Sequence, residues 1–457
     1  MKNLILITDW IIFIASCGFF LILTLSSIRE REMRAAAIAF ASFAANAFLW
    51  SFIIIFADKL YYINISLIGL GAVSLIISMM RFFPGRSPER DTSKALQYDE
   101  RDNMFARNNL QHHPDLMKKY HAMRPENEST DQQIHKKPEF GDKEQFFHDP
   151  YTAPWFLSAF EYLERSIPLS DGEISEKRKN IDPEKFKPVI RRAAEFYGAC
   201  DVGFVHLAPH HYYSNRGRHA SNFGIPTDQT WKTAIVIVIP MRVKMLKTAP
   251  AESVLQESAQ KYVEAAKISN IMAGYIRRFG YRARAHNDAN YDVLCVPLAV
   301  ESGLGELGRM GLFMHRVHGP CVRLAVVTTD LELPASPPSD TFHMSEFCKI
   351  CKKCADNCPS GSISHGNEPC SRNMRHWSIQ QEKCFSYWKS MGSDCGLCIG
   401  VCPYTKPDTL IHKLVRLYIS RNALNQKIAL FMDDLLYGRY KKIPKTNPDP
   451  VFFQTEP

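Results

Sequence analysis

No stretch of this 457-residue chain sets a dense Lys/Arg block among aromatics, although its formal net charge is +9. A nucleic-acid groove needs clustered cations and stacking faces, so no nucleic-acid partner is expected. A basic excess spread along the chain suits a membrane surface bearing anionic lipid. A disulfide framework is also missing. Eight of the 13 cysteines fall in two short runs; the other five, Cys17, Cys200, Cys295, Cys321 and Cys370, are scattered and mostly in apolar surroundings. That pattern speaks against a stapled secreted scaffold and points to a reducing compartment. No twin-arginine signal precedes the first apolar run, and no small-residue cleavage site is obvious after it. Neither twin-arginine export nor a cleaved signal peptide is therefore expected.

The two cysteine runs are the strongest signal present. They read Cys348-x2-Cys351-x2-Cys354-x3-Cys358-Pro359 and Cys384-x10-Cys395-x2-Cys398-x3-Cys402-Pro403. Zinc sites use two well-separated pairs, whereas a C-x2-C-x2-C turn closed by Cys-Pro wraps three thiolates around one cubane and sends the fourth to the other. Two [4Fe–4S] clusters are predicted. Cys348, Cys351, Cys354 and Cys402 would hold one; Cys358, Cys384, Cys395 and Cys398 would hold the second. The ten-residue gap after Cys384 predicts a loop from Phe385 to Asp394 between ligands.

Residues 1–80 carry three apolar runs, about Leu4–Leu25, Ala35–Ala57 and Leu60–Met80. Each approaches the ~20 residues that cross a bilayer. The first connection holds Arg29, Arg31 and Arg34; the exit holds Arg81, Arg86 and Arg90; the other side has only Lys2 and Lys59. By the positive-inside rule the N-terminus lies outside, and the chain after residue 80 lies in the cytoplasm. Asp9 sits near the end of the first span. It is read either as a residue snorkelling to the headgroups or as a polar contact within the bundle.

Residues 81–150 are polar and broken by Pro84, Pro88, Pro114 and Pro138, which predicts an extended tether with short helices. Helix and strand patterns then alternate. Lys185–Tyr197 and Ser253–Phe279 have helical periodicity, while Asp201–Leu207, Thr233–Pro240 (TAIVIVIP) and Val322–Thr329 (VRLAVVTT) are β-branched runs expected as buried strands. Gly303-Leu-Gly305-Glu-Leu-Gly308 fits G-x-G-x-x-G, but it does not open a first βαβ unit, so a dinucleotide fold is not expected. The glycines are read as allowing close backbone approach to a bulky ligand. Adjacent residues on a strand face opposite ways, so His210 and His211 are not expected to share a metal. Trp155, Trp231, Trp377 and Trp388 are candidates for an apolar pocket, with core packing the plainer role for each.

Several ordered stretches resemble the reductive dehalogenases, corrinoid and iron–sulfur enzymes that remove halogen from organohalides. They are Tyr98–Arg107 (YDERDNMFAR), Ile276–Tyr281, Ser302–Gly311, Gly319–Leu324, Cys384–Trp388, Cys395–Pro403 and Met432–Gly438. The resemblance implies an α+β architecture: a nitroreductase-like corrinoid-binding domain, then a two-cluster ferredoxin-like domain, here preceded by three transmembrane helices. The implied boundaries are 1–80 for the anchor, 81–165 for the tether and N-terminal unit, 166–335 for the corrinoid domain and 336–457 for the cluster domain with its tail. It implies a base-off corrinoid, and the lack of a D-x-H-x-x-G motif agrees with a cobalt that has no protein ligand. Tyr262 matches the family's catalytic tyrosine and Arg323 the arginine beside it. Asn287 and Asn290 compete for the pocket asparagine. Gly303, Gly305, Gly308 and Arg309 would bind the cofactor.

A tyrosine keeps its proton at neutral pH, and a neighbouring guanidinium favours the tyrosinate left after transfer. Where typical respiratory members carry an export signal and dock on a separate small membrane protein, this chain has a fused anchor in front. The implied partners are an organohalide, the membrane, and a quinol, ferredoxin or flavodoxin as electron donor. Two rivals share parts of the pattern. An epoxyqueuosine-reductase-like enzyme has the corrinoid and two-cluster plan but acts on tRNA and is soluble. A membrane ferredoxin that only relays electrons would not need the ~250 patterned residues between anchor and clusters.

Overall fold

The computed structural model describes residues 2–56, 59, 61–80, 96–337, 343–366, 370–371 and 374–447. The exit arginines Arg81, Arg86 and Arg90 lie outside these residues, as do Pro84 and Pro88. The chain divides into two compact units, residues 1–84 with 408–441 and residues 85–407 with 442–457.

The first unit begins with α1 (Lys2–Arg29), α2 (Met33–Ile55) and α3 (Tyr61–Met79). Leu4–Arg29, Met33–Ile55 and Tyr61–Met79 are all long and apolar enough to cross a membrane. α1 and α2 pack side by side, with Ala35, Ala36 and Ala39 fully covered because small side chains let helix backbones approach. Asp9 does not reach outward. It is fully buried and accepts 2.6 Å from the Asn64 amide of α3, so the polar contact within the bundle is the arrangement observed.

The second unit opens with short helices α4 (Met104–Asn109), α5 (Pro114–Met123) and α6 (Glu128–His135), then α7 (Ala153–Ser166) and α8 (Pro183–Phe196). The short helices expected in the tether are present, but residues 96–150 of it are packed rather than extended. Arg107, almost wholly buried, bridges Asp131 at 2.8 Å and Glu382 at 2.7 Å. Ion pairs between residues far apart in sequence do not register in local composition.

A four-stranded antiparallel sheet follows, with β1 (Asp201–His206), β2 (Thr233–Pro240), β3 (Ala283–His286) and β6 (Val322–Thr329) in the order β1-β2-β6-β3. The hairpin β4 (Gly305–Leu307) and β5 (Phe313–His315) stands apart from it. Between strands lie α9 (Val243–Leu246), α10 (Glu252–Arg277) and α11 (Cys295–Glu301). β2 explains its unbroken apolar run. Ile235, Ile237 and Ile239 face a core shared with α8 and α10, while Ala234, Val236 and Val238 face another shared with α11 and the hairpin. A strand covered on both faces has no polar side to alternate with.

The cysteine-rich end adds α12 (His343–Cys351), α13 (Lys353–Asp356), α14 (Gln381–Met391) and α15 (Leu397–Gly400). Most of the expected Phe385–Asp394 loop is the body of helix α14, which Cys384 enters in the first turn and which Gly392 ends at φ +75°. Finally α16 (Leu410–Ile419) and α17 (Ala423–Tyr437) rejoin the first unit. The tail read as part of the cluster domain thus groups with the N-terminal helices; its apolar periodicity is the same in either setting.

Candidate active site and thiol sets

α10 carries Tyr262 and β6 carries Arg323, and their packing across the sheet brings the two together. The guanidinium carbon lies 5.1 Å from the phenol ring centroid. Both side chains are half-buried. Tyr213, Tyr291, Cys295 and Asp288 share this property.

Burial pushes the Tyr262 phenol up to about 12, with Arg323 pulling it down and Asp288 and Asp394 pushing it further up. The phenol therefore holds its proton at neutral pH, with a cation beside it to receive the negative charge. Arg323 is itself held. Its Nη2 donates to Ser258 Oγ at 2.5 Å and to Asp394 Oδ2 at 3.0 Å, and the Ser258 hydroxyl donates to the same carboxylate oxygen. Asp394 directly precedes Cys395, so the guanidinium is fastened to the cysteine-bearing chain.

The two candidate asparagines lie in a neighbouring polar network. Asn287 donates to Ser269 Oγ at 3.1 Å and Asn270 Oδ1 at 3.2 Å; Asn290 donates to Ser170 Oγ at 2.8 Å and accepts from Arg284 at 2.6 Å. Between them stands Asp288, whose carboxyl burial raises and whose charge bears on Tyr262. Asp288, Arg218 and Tyr291 were not picked out in the sequence. The short segment between β3 and α11 gives no periodicity by which to aim its side chains.

The glycine-rich segment is occupied by the chain itself. A Cβ on Gly305 would collide with the Met314 carbonyl, and one on Gly308 with the Met314 sulfur, because the two strands of the hairpin close over each other there. Gly305–Leu307 is a strand of this hairpin, so the G-x-G-x-x-G run does not open a helix. Arg309 is buried and donates to the carbonyls of Cys348, Ser364 and Gly366 while stacking on Trp377 at 4.2 Å, so it clamps the first cysteine run. Trp231 is likewise in the core, under Arg282, and Trp388 packs with Phe105 and Phe385. Trp155 is half exposed.

The thiols gather into two sets. Cys348, Cys351, Cys354 and Cys402 line one cavity, together with Phe347 and Tyr404. Burial pushes the Cys402 thiol far up, with Cys348, Cys351 and Cys354 adding to the rise. Around Cys398 the corresponding neighbours are Cys395, Cys354, Cys384 and Cys358. Four acidic thiols forced together in a dry site keep their protons unless a cation takes their place, which is the donor set an iron–sulfur cluster uses. Cys395 sits at φ +61°, a left-handed conformation that a non-glycine residue adopts at a cost, and Gly396 follows at φ +67°. Tyr387 stands beside this second set, near Cys395 and Cys358.

His210 and His211 converge, against expectation. Residues 209–211 form a 3-10 turn rather than a strand, so both Nε2 atoms reach the Glu301 carboxylate, at 3.0 and 2.9 Å. His211 Nδ1 accepts the Ala208 amide, and its Nε2 lies within 2.9 Å of the Glu301 carboxylate.

Fold and site together define a cysteine-rich α+β redox protein with three apolar N-terminal helices. Its likenesses are consistent. No protein-family model matches. A tetrachloroethene reductive dehalogenase of Desulfitobacterium hafniense is 36% identical over 197 residues, 40% of this chain and 35% of that one. Another, from Sulfurospirillum multivorans, is 35% identical over 222 residues, 47% of this chain and 44% of its own. A solved reductive dehalogenase, whose structure is described as suggesting a mechanism for B12-dependent dehalogenation, superposes with a TM-score of 0.64 at 22% identity, covering 81% of this chain and 52% of the other. The chain is a relative of the reductive dehalogenases. It spans about a third to a half of the length of these curated relatives.

Proposed function

We propose that this chain is a membrane-anchored reductive dehalogenase, in which two [4Fe–4S] clusters deliver electrons to a base-off corrinoid in a nitroreductase-like domain. The observation that carries the reading is the half-buried Tyr262–Arg323 pair, tied through Asp394 to a converging set of thiols. The donor sets fit the clusters. Four thiols around one cavity suit a cubane, with the second set alike in composition. Half-buried Tyr213, Tyr291 and Cys295, grouped near Tyr262, would line the corrinoid site. When bound, the corrinoid supplies low-valent cobalt as the immediate source of electrons.

Replacing carbon–halogen by carbon–hydrogen consumes two electrons and one proton and releases halide. The chain's part is the proton. Tyr262 holds it on Oη at neutral pH and gives it to the carbon. Arg323 stabilises the tyrosinate, and Ser258 with Asp394 keeps the guanidinium in place. The cation content of the loop at Arg29, Arg31 and Arg34 supports a cytoplasmic catalytic unit, with a quinol, ferredoxin or flavodoxin as donor; protease added outside sealed cells should leave the C-terminus intact.

The test is composition and turnover. Purified protein reconstituted with corrinoid is expected to hold about eight iron and one cobalt per chain, two cubanes and one corrinoid, and to release halide from an organohalide. Iron without cobalt, and no halide, would leave only an electron relay. Tyr262→Phe should keep iron and cobalt and lose about 10²–10⁴ of the rate, the usual worth of a placed proton donor. A fully active variant would remove Tyr262 from the mechanism.

A further inference from the structure

α16 and α17 turn apolar side chains outward. Leu414 and Leu417 on α16, and Leu424, Ile428, Phe431 and Leu435 on α17, are between 39% and 66% exposed. The α17 set recurs at i, i+4, i+7 and i+11, one continuous stripe of a helix. The covered face is mixed: His412, Asn425 and Gln426 are buried beside Ile411, Ile419 and Leu436. A helix pair packed on a water-soluble core would not leave so long an apolar stripe uncovered.

The polar residues of the covered face have definite work. The Asn422 amide donates to the carbonyls of Ile77 and Met80, both at 3.1 Å, and the Asn425 amide to Ser78 at 2.9 Å. These carbonyls lie at and just past the end of α3, where helical partners run out; that of Ile77 also accepts the Met80 amide at 3.2 Å. His412 bonds Glu30 at 3.0 Å, in the connection between α1 and α2. The helix pair therefore closes the end of the bundle where α1 stops, α2 starts and α3 stops. A bilayer crossed by α1–α3 has one of its surfaces at that level.

We propose that α16–α17 is an interfacial helical hairpin that lies in the plane of the membrane, with its leucine-rich stripe among the lipid acyl chains and its covered face on the ends of the spans. The proposal rests on the reading of α1–α3 as spans. Continuity with those spans favours lipid over a second protein as the occupant. Exposed Lys413 and Lys427 suit anionic headgroups beside the stripe.

Photocrosslinking of the full chain tests this. The protein is reconstituted in vesicles of phosphatidylcholine and phosphatidylglycerol, with p-benzoylphenylalanine at Phe431, at Phe48 in α2, or at Tyr151 in the other unit. All three positions are exposed, at 66%, 77% and 84%. Mass spectrometry is expected to find lipid adducts at Phe431 and Phe48, about tenfold above Tyr151 for a side chain seated in acyl chains. Adducts at Phe48 alone, or crosslinks from Phe431 to another protein or a second copy, would overturn the hairpin and leave the spans. Adducts at neither position, or at Phe431 but not Phe48, would overturn the spans and the hairpin's level with them. Equal labelling at Tyr151 would also count against the proposal.

Discussion

In the unit built on the antiparallel sheet, β2 hides all but one of its eight residues, and Arg107, Asp131 and Lys389 are buried only with partners. In the unit built on α1–α3, Phe48 and Tyr62 are 77% and 82% exposed while Asp9 and Asn64 are 0% and 1% exposed. The rule that apolar surface leaves water is the same in both. On the proposed reading the difference is the solvent each surface meets, water in one unit and hydrocarbon in the other, where backbone and polar side chains must be satisfied internally.

The sharpest way to break this comparison is to unpair a buried charge. Arg107→Ala leaves Asp131, 1% exposed, with only His121 nearby at 3.1 Å. Removing one partner of a buried pair costs about 3–5 kcal/mol, which should appear as a large drop in the denaturation midpoint of the purified protein. An unchanged midpoint would mean that residues 96–150 are a tether after all.

A smaller effect is tied to pH. Burial raises the Glu100 carboxyl to about 7, against the amides of Gly217 and Arg218 that pull it down. The folded state therefore binds a proton more tightly than the unfolded state. This contribution to stability is complete below the unfolded value, near 4.5, and is lost as pH rises through about 7. The shift corresponds to about 3 kcal/mol. Thermal melts at pH 5 and pH 8 should show wild type losing this increment relative to Glu100→Gln; equal slopes for the two proteins would refute it.

The smallest effect belongs to the anchor. Asn64→Leu removes the 2.6 Å bond to Asp9, yet such bonds between spans average about 0.6 kcal/mol because the unfolded helices also find partners in lipid. Detergent-titrated unfolding measures it. A loss matching that of Arg107→Ala would mean that polar contacts in the two units are not treated differently by their solvents.

Much of this was legible in the sequence where one local pattern decides. TAIVIVIP could only be a strand covered on both sides, and Ser253–Phe279 is α10 to within a few residues. The cysteine runs stood out by spacing alone, and in the fold Cys348, Cys351, Cys354 and Cys402 line one cavity while Cys395, Cys354, Cys384 and Cys358 lie around Cys398. The rest depended on distance. Arg107 and Glu382 are 275 residues apart, His412 and Glu30 are 382 apart, and neither pairing leaves a trace in a short window. Asp288 was passed over between two asparagines because only the folded segment shows which of three neighbouring polar side chains turns toward Tyr262. Helix α14 was read as a loop because ligand spacing counts residues and is blind to their conformation.

The crossing of Cys402 to the thiols of the first run, and of Cys358 to those of the second, has a consequence for biosynthesis. On the proposed ligand assignment, the first run cannot complete its own quartet: that set stays one sulfur short until Cys402, well beyond Cys354, has left the ribosome. Loading of the first set is then a late event, and a truncation between Cys358 and Cys398 would leave both sets incomplete.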